Sequence, residues 1–319
     1  MIGIADIETA AGRIAPHVVR TPTVPSPGLS ALLGVPVTAK LELLQRTGSF
    51  KVRGAAAKLL SLSEAERAAG VVAVSGGNHG ISLAVMAAAL DVKATVVMPR
   101  SAPARAVEIA ESAGASVRLT PDMDGAFALT TRLQQEGLTL VHPFDDPVVI
   151  AGQGTVGLEF AADAGDLTDV LVSVGGGGLI AGVAAALRAL RPGVRIWGVE
   201  TEGAQAMSRA LAAGGPLPVK LTSIVSTLSA PAVSQLTYEH VSELVTEVLV
   251  VPDREAVRGS LDLADHAKLW AEPAAGCLLP AARRVLERAG EGARLGLVVC
   301  GGNATTADMI AWTEHFELR

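Results

Sequence analysis

Short runs of β-branched residues alternate with alanine-rich stretches along almost the whole chain, and this rhythm limits the possible fold more than any other feature. Strand-helix-strand repetition predicts parallel sheets with helices on both faces, so the expected fold class is α/β. Ligands of such folds bind in the crevice at the carboxyl ends of the strands. The predicted strands lie at 35–42, 70–74, 94–98, 116–119, 138–141, 170–174, 195–200 and 295–299.

A lysine follows the first of these strands in an unusual setting. Lys51 stands between the small, hydroxyl-bearing turn Thr47-Gly48-Ser49 and an alanine-rich helical run. On the first turn of a helix an ammonium lies close to the positive end of the helix dipole, which favours loss of its proton. A neutral amine can form a Schiff base with a carbonyl, which is the chemistry of pyridoxal phosphate (PLP) enzymes. Most lysines in such a segment are only exposed helix residues, so the prediction depends on the motifs that follow.

Two loops rich in glycine follow predicted strands. The stretch Val174–Gly182 contains four consecutive glycines before an alanine-rich helix, and their N–H groups can converge on one phosphate at the helix N-terminus. The loop Ser75-Gly76-Gly77-Asn78-His79-Gly80 opens another helix and predicts a second anion site, although a plain helix cap with a buried histidine has the same pattern.

The four-glycine loop also fits a dinucleotide site. Gly176-x-Gly178-x-x-Ala181 matches the dinucleotide fingerprint, and Glu200 ends the next strand where a ribose-binding acid is expected. This alternative, an NAD-dependent oxidoreductase, explains neither Lys51 nor Asn78.

The segment between the two halves of the chain contains prolines and glycines. Pro143 and Pro147 exclude a helix interior, and Gly152 and Gly154 predict a tight turn into the next helix. We interpret this segment as architecture at a junction of two lobes.

Together these motifs resemble the threonine/serine dehydratase family, the fold type II PLP enzymes of the tryptophan synthase β-like superfamily. The resemblance covers nearly the full chain and implies a two-lobed fold with parallel-rich twisted sheets flanked by helices. It implies a small lobe, residues 52–145, inserted into a large PLP-binding lobe, residues 1–51 and 146–319. The segments that carry it are Ser49-Phe50-Lys51, Ser75–Gly80, His142–Pro147, Ile150–Thr155, Val174–Gly182, Glu272–Gly276 and Val299–Asn303.

The resemblance also implies residue roles. Lys51 would be the catalytic residue, holding PLP as a Schiff base and then acting as general base. Cys300 would face the pyridine nitrogen as a nearly neutral partner. The implied cofactor-binding residues are Phe50, Lys51, Asn78, Gly175, Gly176, Gly177, Gly178, Leu179, Glu272 and Cys300. The implied substrate-binding residues are Ser49, Ser75, Gly77, Asn78 and His79.

Several positions depart from the family pattern. Serine racemases of the family carry a serine where this chain has Gly76, and without that hydroxyl racemisation has no second base. Glu200 matches a cation ligand of the family, but the second carboxylate is replaced by Ala206, so we expect no metal. Leu43 and the segment Val225–Pro231 also differ from the family, which leaves the substrate open.

The expected function is therefore a PLP-dependent ammonia-lyase that converts a 3-hydroxy amino acid, such as serine or threonine, to a 2-oxo acid and ammonia. A PLP-dependent racemase, a β-replacement synthase and a catalytically silent PLP-binding protein remain as alternatives. The synthases carry Asn-Pro before the Ser-x-Lys, which this chain lacks.

Composition limits the partners. Aromatic residues make up 3% of the chain and the net charge is −6, which excludes stacking platforms and a basic surface for nucleic acid. The longest uncharged run, 170–187, contains four glycines and is shorter than the roughly 20 apolar residues of a membrane span. Two cysteines form no disulfide framework, and the amino terminus lacks a signal peptide pattern, so we expect a cytoplasmic protein. The 50% apolar content favours a homodimer.

Overall fold

The computed structural model describes residues 1–290 and 292–318, which form an α/β fold as predicted. The strands are β1 Thr23–Pro25, β2 Val37–Leu41, β3 Val71–Val74, β4 Ala94–Pro99, β5 Ser116–Thr120, β6 Thr139–Leu140, β7 Asp169–Ser173, β8 Arg195–Thr201, β9 Glu247–Val251 and β10 Leu295–Val299. The helices are α1 Ile4–Ile14, α2 Pro27–Leu33, α3 Lys51–Ser61, α4 Glu64–Ala69, α5 Asn78–Ala89, α6 Ala104–Ser112, α7 Met123–Gln135, α8 Pro147–Asp163, α9 Gly178–Leu190, α10 Ala206–Ala213, α11 Gln235–Leu244, α12 Asp253–Ala267, α13 Pro273–Gly276, α14 Leu278–Ala289 and α15 Thr306–His315.

The strands form two sheets. The larger sheet has the order β1-β2-β10-β7-β8-β9, and the smaller has the order β5-β4-β3-β6. All pairings in both sheets are parallel except that of β1, which runs antiparallel to β2 at the edge. Pro25 in β1 has no N–H group to donate to a ladder, which restricts such a residue to an edge strand.

The strands of the smaller sheet all lie within residues 71–140, and those of the larger sheet lie within 23–41 and 169–299. We propose the boundaries 1–51, 52–145 and 146–319 for the two lobes, and this separation of the sheets supports them. One apolar cluster joins the two parts, because Val52 and Ala55 of α3 pack with Ile7 of α1 and with Val149 of α8.

The middle of the larger sheet is buried on both faces. Every residue of β7 and β10 is buried, as expected for parallel strands covered by helices on both sides. This explains why β10 and the middle of β7, Val170–Val172, are continuous apolar runs in the sequence instead of alternating patterns.

The prediction of a tight turn at Gly152 and Gly154 was wrong. Both glycines lie inside α8, which begins at Pro147 with Asp146 as its N-cap. A Cβ on Gly154 would come within 3.0 Å of the Gly182 carbonyl oxygen in α9, and a Cβ on Gly152 within 2.7 Å of the Arg53 carbonyl oxygen in α3. These glycines let three helices approach closely beneath the lysine segment.

Three small-residue loops follow the carboxyl ends of β3, β7 and β10, and the lysine segment follows β2. Since parallel strands of one sheet end at a common edge, the segments after β2, β7 and β10 lie at one edge of the larger sheet. The loop after β3 comes from the smaller sheet and meets them in the crevice between the sheets. Within the described part of the chain, no helix is long and apolar enough to cross a membrane.

Candidate active site

Lys51 is the first residue of α3 and lies where the chain crosses the end of the larger sheet. The preceding residues are tied to the segment after β10, since the Phe50 N–H donates to the Cys300 carbonyl at 3.1 Å and Ser49 pairs with Gly301. Lys51 Nζ donates to the Pro143 carbonyl at 3.1 Å. The backbone therefore holds the amine at the junction of the two sheets.

Burial lowers the pKa of Lys51 to about 8, and the nearby Cys300 and Glu272 partly oppose this shift. The sequence predicted a lowered pKa from the helix dipole. In the structure the larger cause is removal of the ammonium from water. At neutral pH a useful fraction of this amine can therefore be neutral.

The asparagine loop meets the carboxy-terminal part of the chain. Asn78, the first residue of α5, donates from Nδ2 to the two carboxylate oxygens of Glu272 at 2.9 and 3.2 Å. Its Oδ1 accepts a hydrogen bond from Asn303 Nδ2 at 2.7 Å. Burial raises the pKa of Glu272 to about 7, against the opposing effect of the hydrogen bond from Asn78. Both Asn78 and Glu272 are buried, so this contact is shielded from water.

The four-glycine loop forms a narrow cradle at the start of α9. Gly177 has φ 92°, a conformation that favours glycine, and is the N-cap of the helix that begins at Gly178. A Cβ on Gly175 would lie 3.1 Å from the Leu228 carbonyl oxygen, and a Cβ on Gly176 would overlap the Phe144 ring. The first N–H groups of a helix, here those of Gly178 and Leu179, have no carbonyl partner within the helix. The loop can therefore direct unpaired donors at an anion.

The predicted substrate-binding residues occupy the same region. Ser49 is fully buried and its Oγ has no hydrogen-bond partner within the described residues. His79 Nε2 contacts the Val141 carbonyl at 2.8 Å, whereas Nδ1 has no partner in the same part of the chain. Ser75 Oγ accepts from the Gly77 N–H at 3.2 Å. Burial, together with Lys51, lowers the pKa of His79 to about 3, so this imidazole is neutral.

Cys300 is buried at the end of β10. Its Sγ lies 4.0 Å from Ser173 Oγ, which in turn donates to the Ala274 carbonyl at 2.5 Å. Burial raises the pKa of the Cys300 thiol well above its usual range. The thiol is therefore neutral, which matches the nearly neutral partner expected for a pyridine nitrogen.

These residues fit PLP on chemical grounds. A buried amine can take the aldehyde, a glycine cradle at a helix N-terminus can take the phosphate, and a neutral thiol suits the ring nitrogen. Two buried polar atoms, Ser49 Oγ and His79 Nδ1, also lack partners within the described residues. Buried polar atoms are rarely left unsatisfied, so their presence here is consistent with a bound ligand.

Sequence reasoning missed three residues of this site. Pro143 and Phe144 belong to the segment interpreted as architecture, yet Pro143 binds Lys51 and Phe144 packs against the glycine cradle. Asn303 was seen only as part of a glycine-rich motif, and it bonds directly to Asn78. An asparagine directly after two glycines at a strand end was the available signal.

Glu200 serves α10. Its two oxygens accept from the N–H groups of Met207 at 2.7 Å and Ser208 at 2.9 Å, and from Ser208 Oγ at 2.6 Å. The buried carboxylate thus caps the start of α10. Its oxygens already accept hydrogen bonds from this helix, whereas a dinucleotide site would need them for the hydroxyls of a ribose. Among residues 1–290 and 292–318, no group of three or more His, Cys, Asp and Glu residues is placed to hold a metal ion.

The chain is similar to known PLP enzymes over most of its length. Residues 14–301 match the family model described as pyridoxal-phosphate dependent enzyme. The L-threonine ammonia-lyase of Thermotoga maritima is 39% identical over 95% of this chain and 76% of its own length. The phenylserine dehydratase of Ralstonia pickettii is 38% identical over 95% of both chains.

A solved structure of a related protein also matches this chain. The structure of maize serine racemase matches with a TM-score of 0.91 and 33% identity, covering 99% of this chain and 97% of that one. The NAD alternative raised by the four-glycine loop is thereby overturned, since the chain matches a pyridoxal-phosphate dependent family. The chain belongs to the threonine/serine dehydratase family of fold type II pyridoxal-phosphate dependent enzymes.

Proposed function

We propose that the protein is an ammonia-lyase that removes the β-hydroxyl of a 3-hydroxy amino acid and releases a 2-oxo acid and ammonia. The observation that carries the proposal is Lys51, a partly buried lysine whose pKa is lowered to about 8 and whose amine is held by the Pro143 carbonyl beside Cys300 and Glu272. Similarity to a threonine ammonia-lyase and a phenylserine dehydratase supports the reaction class.

Each residue has a separate task in this proposal. The N–H groups around Gly175–Leu179 would hold the phosphate of PLP, Asn78 would donate a hydrogen bond to its ring oxygen, and Cys300 would be the partner of its ring nitrogen. Bound PLP supplies the electron sink for negative charge at the α-carbon. Lys51 Nζ holds the cofactor, and then accepts the α-proton as general base and helps to protonate the departing hydroxyl. Ser75, Gly77, His79 and Ser49 contact the substrate.

Lys51→Ala tests this assignment. The variant should lose the yellow absorbance of lysine-bound cofactor and all keto-acid release from a panel of 3-hydroxy amino acids. In the unmodified protein, borohydride should fix the cofactor on Lys51. Recovery of reduced cofactor on a different lysine would show that the assignment is wrong. A yellow protein that releases no keto acid from any member of the panel would be a silent PLP-binding protein.

Similarity to maize serine racemase makes racemisation the second candidate, and Gly76 decides between the two. A Cβ built on Gly76 lies 3.1 Å from the Ala102 Cβ and 3.6 Å from Pro99 Cδ, so the contacts around it are hydrocarbon. Glycine offers no proton donor there, whereas elimination needs only Lys51 and its own face of the substrate. The protein should therefore release keto acid from one α-stereoisomer much faster than it forms the inverted amino acid.

Gly76→Ser is the matching variant. The added Cβ must displace Ala102 slightly, and the hydroxyl should raise exchange of the α-proton with deuterated water while elimination partly survives. A positioned proton relay is worth about 10²–10⁴ in rate, so the change should be easy to measure. If the unmodified protein inverts its substrate faster than it deaminates it, the racemase is the correct function.

We further propose that the enzyme works as a cytoplasmic homodimer on a small amino acid. The two cysteines are free, which supports a reducing compartment, and the 50% apolar composition supports self-association. Sedimentation velocity measures the assembly directly. A monomer at micromolar concentration would remove the dimer from the proposal.

A further inference from the structure

Asn303 contacts two of the functional segments through one amide nitrogen. Its Nδ2 donates to the Thr47 carbonyl at 2.8 Å and to Asn78 Oδ1 at 2.7 Å. An amide nitrogen carries two hydrogens, so both are used. Thr47 lies in the turn before Lys51, and Asn78 lies at the start of α5, so one side chain joins the lysine segment to the asparagine loop.

These contacts determine which way the Asn78 amide points. A carbonyl oxygen can only accept, so the Thr47 carbonyl requires the nitrogen end of Asn303. That nitrogen in turn requires the oxygen end of Asn78. The nitrogen of Asn78 must then face Glu272, whose carboxylate accepts it at 2.9 Å. The Thr47 carbonyl, which can only accept, therefore assigns an orientation that asparagine alone leaves ambiguous.

The three residues form a chain of hydrogen bonds. Asn78 donates to Glu272 and accepts from Asn303. The backbone N–H of Asn303 also helps to lower the pKa of the Glu272 carboxyl, against the effect of burial. Asn78 belongs to the part of the chain with the smaller sheet, and the other two belong to the part with the larger sheet. Since Asn78 and Glu272 are 8% and 6% exposed, water does not compete strongly for these bonds.

We propose that Asn303 is a positioning residue that makes Asn78 a hydrogen-bond donor toward the oxygen of the PLP ring. In the observed orientation, both Glu272 oxygens lie within reach of Asn78 Nδ2, at 2.9 and 3.2 Å. The two oxygens of one carboxylate can share one Nδ2 hydrogen, which leaves the second hydrogen for a ligand acceptor. With the amide reversed, Asn78 would present a carbonyl oxygen to the ring oxygen and repel it. The proposal rests on the PLP chemistry of the proposed function, but not on its choice of substrate.

Asn303→Asp is the sharpest variant, because it keeps the shape of the side chain and removes both donor hydrogens. The introduced carboxylate would face the Thr47 carbonyl and Asn78 Oδ1, so the Asn78 amide should reverse to donate to it. Asn303→Ala removes the side chain without imposing the reversed orientation. It provides a second variant if the carboxylate prevents folding.

The matched control is Ser82→Ala. Thr47 Oγ1 and Ser82 Oγ form a buried hydrogen bond at 2.8 Å, which also links the lysine turn to α5. Its loss removes a link between the same two segments but leaves the Asn78 amide untouched. If Asn303 only connects the two segments, Ser82→Ala should have the same effect as the Asn303 variants.

The experiment measures equilibrium binding of PLP to cofactor-free protein and the pH titration of the absorbance of lysine-bound cofactor. One hydrogen bond to a charged group corresponds to about a 10- to 100-fold change in affinity. We expect Asn303→Asp to weaken PLP binding by that factor and to shift the titration midpoint. Asn303→Ala should have a smaller effect, and Ser82→Ala should change affinity by less than about threefold.

Two results would overturn the proposal. One is unchanged affinity and titration in folded Asn303→Asp, or in Asn303→Ala if the first variant does not fold. The other is an equal loss in Ser82→Ala, which would show that only the connection between segments matters. No amino acid is present in these measurements. A wrong choice of substrate in the proposed function would therefore leave them unaffected and would appear only in the keto-acid screen.

Discussion

Gly177→Ala should separate the strain of a glycine conformation from its use in holding phosphate. Gly177 has φ 92°, and a Cβ there would lie 2.8 Å from Met207 Cε and 2.9 Å from Thr237 Cβ. Alanine in the left-handed region costs roughly 1–2 kcal/mol. The contact with the buried Thr237 adds about 1–3 kcal/mol of overpacking. We therefore expect the variant to lose about 2–5 kcal/mol of unfolding free energy.

Gly214→Ala is the control for this change. Gly214 has φ 78° at the end of α10, and a Cβ there would have no atom within 4 Å. This variant should lose only the roughly 1–2 kcal/mol of strain and should bind PLP normally.

The assay combines urea unfolding with binding of PLP and of pyridoxal, which has no phosphate. The added methyl group should shift the glycine cradle and remove one charge-assisted hydrogen bond to the phosphate. Gly177→Ala should therefore weaken PLP binding by about 10- to 100-fold. Binding of pyridoxal should change little. Equal weakening of both ligands, or PLP affinity equal to that of Gly214→Ala, would refute the assignment of the cradle to phosphate.

Two further predictions concern buried charges. Arg53 is fully buried and bonds to Glu42 at 2.8 Å and Glu159 at 2.7 Å, so Arg53→Leu should lower the unfolding free energy by about 3–5 kcal/mol. In urea unfolding, the double variant Arg53→Leu with Glu42→Gln should recover part of the lost unfolding free energy. An Arg53→Leu variant as stable as the unmodified protein would contradict the reasoning. Burial raises the pKa of Glu200 to about 7, so between about pH 4.5 and 7 the native state keeps a proton that the unfolded state has lost, and stability falls as pH rises. Glu200→Gln should show a shallower fall over that range, and identical pH slopes would show that Glu200 does not contribute.

The local chemistry of the site could be predicted from sequence because each motif needs only its own residues and its place after a strand. The alternation of β-branched runs with alanine-rich stretches indicated the α/β class. Four glycines before an alanine-rich helix indicated an anion cradle, because that feature does not depend on how the rest of the chain packs. Lys51 was placed on the first turn of a helix, where the structure has it. The antiparallel β1, which is three residues long, was missed, and so was β9, although β9 carries the largely β-branched run Val248–Val251.

Burial and convergence were decided only by the tertiary structure. The pKa of Lys51 depends mostly on burial by distant segments, so the dipole argument identified the direction but not the main cause. Gly152 and Gly154 allow helices to pack instead of forming a turn, because helices brought together by the fold leave no room for a Cβ there. Asn303 and Asn78 are 225 residues apart in sequence, and no local pattern encodes a hydrogen bond between them. The sequence by itself determined which groups can do the chemistry. Long-range packing decided which of these groups meet and in what protonation state they are. Residues far apart in the chain bring the groups together, and the removal of water by those residues shifts their pKa values.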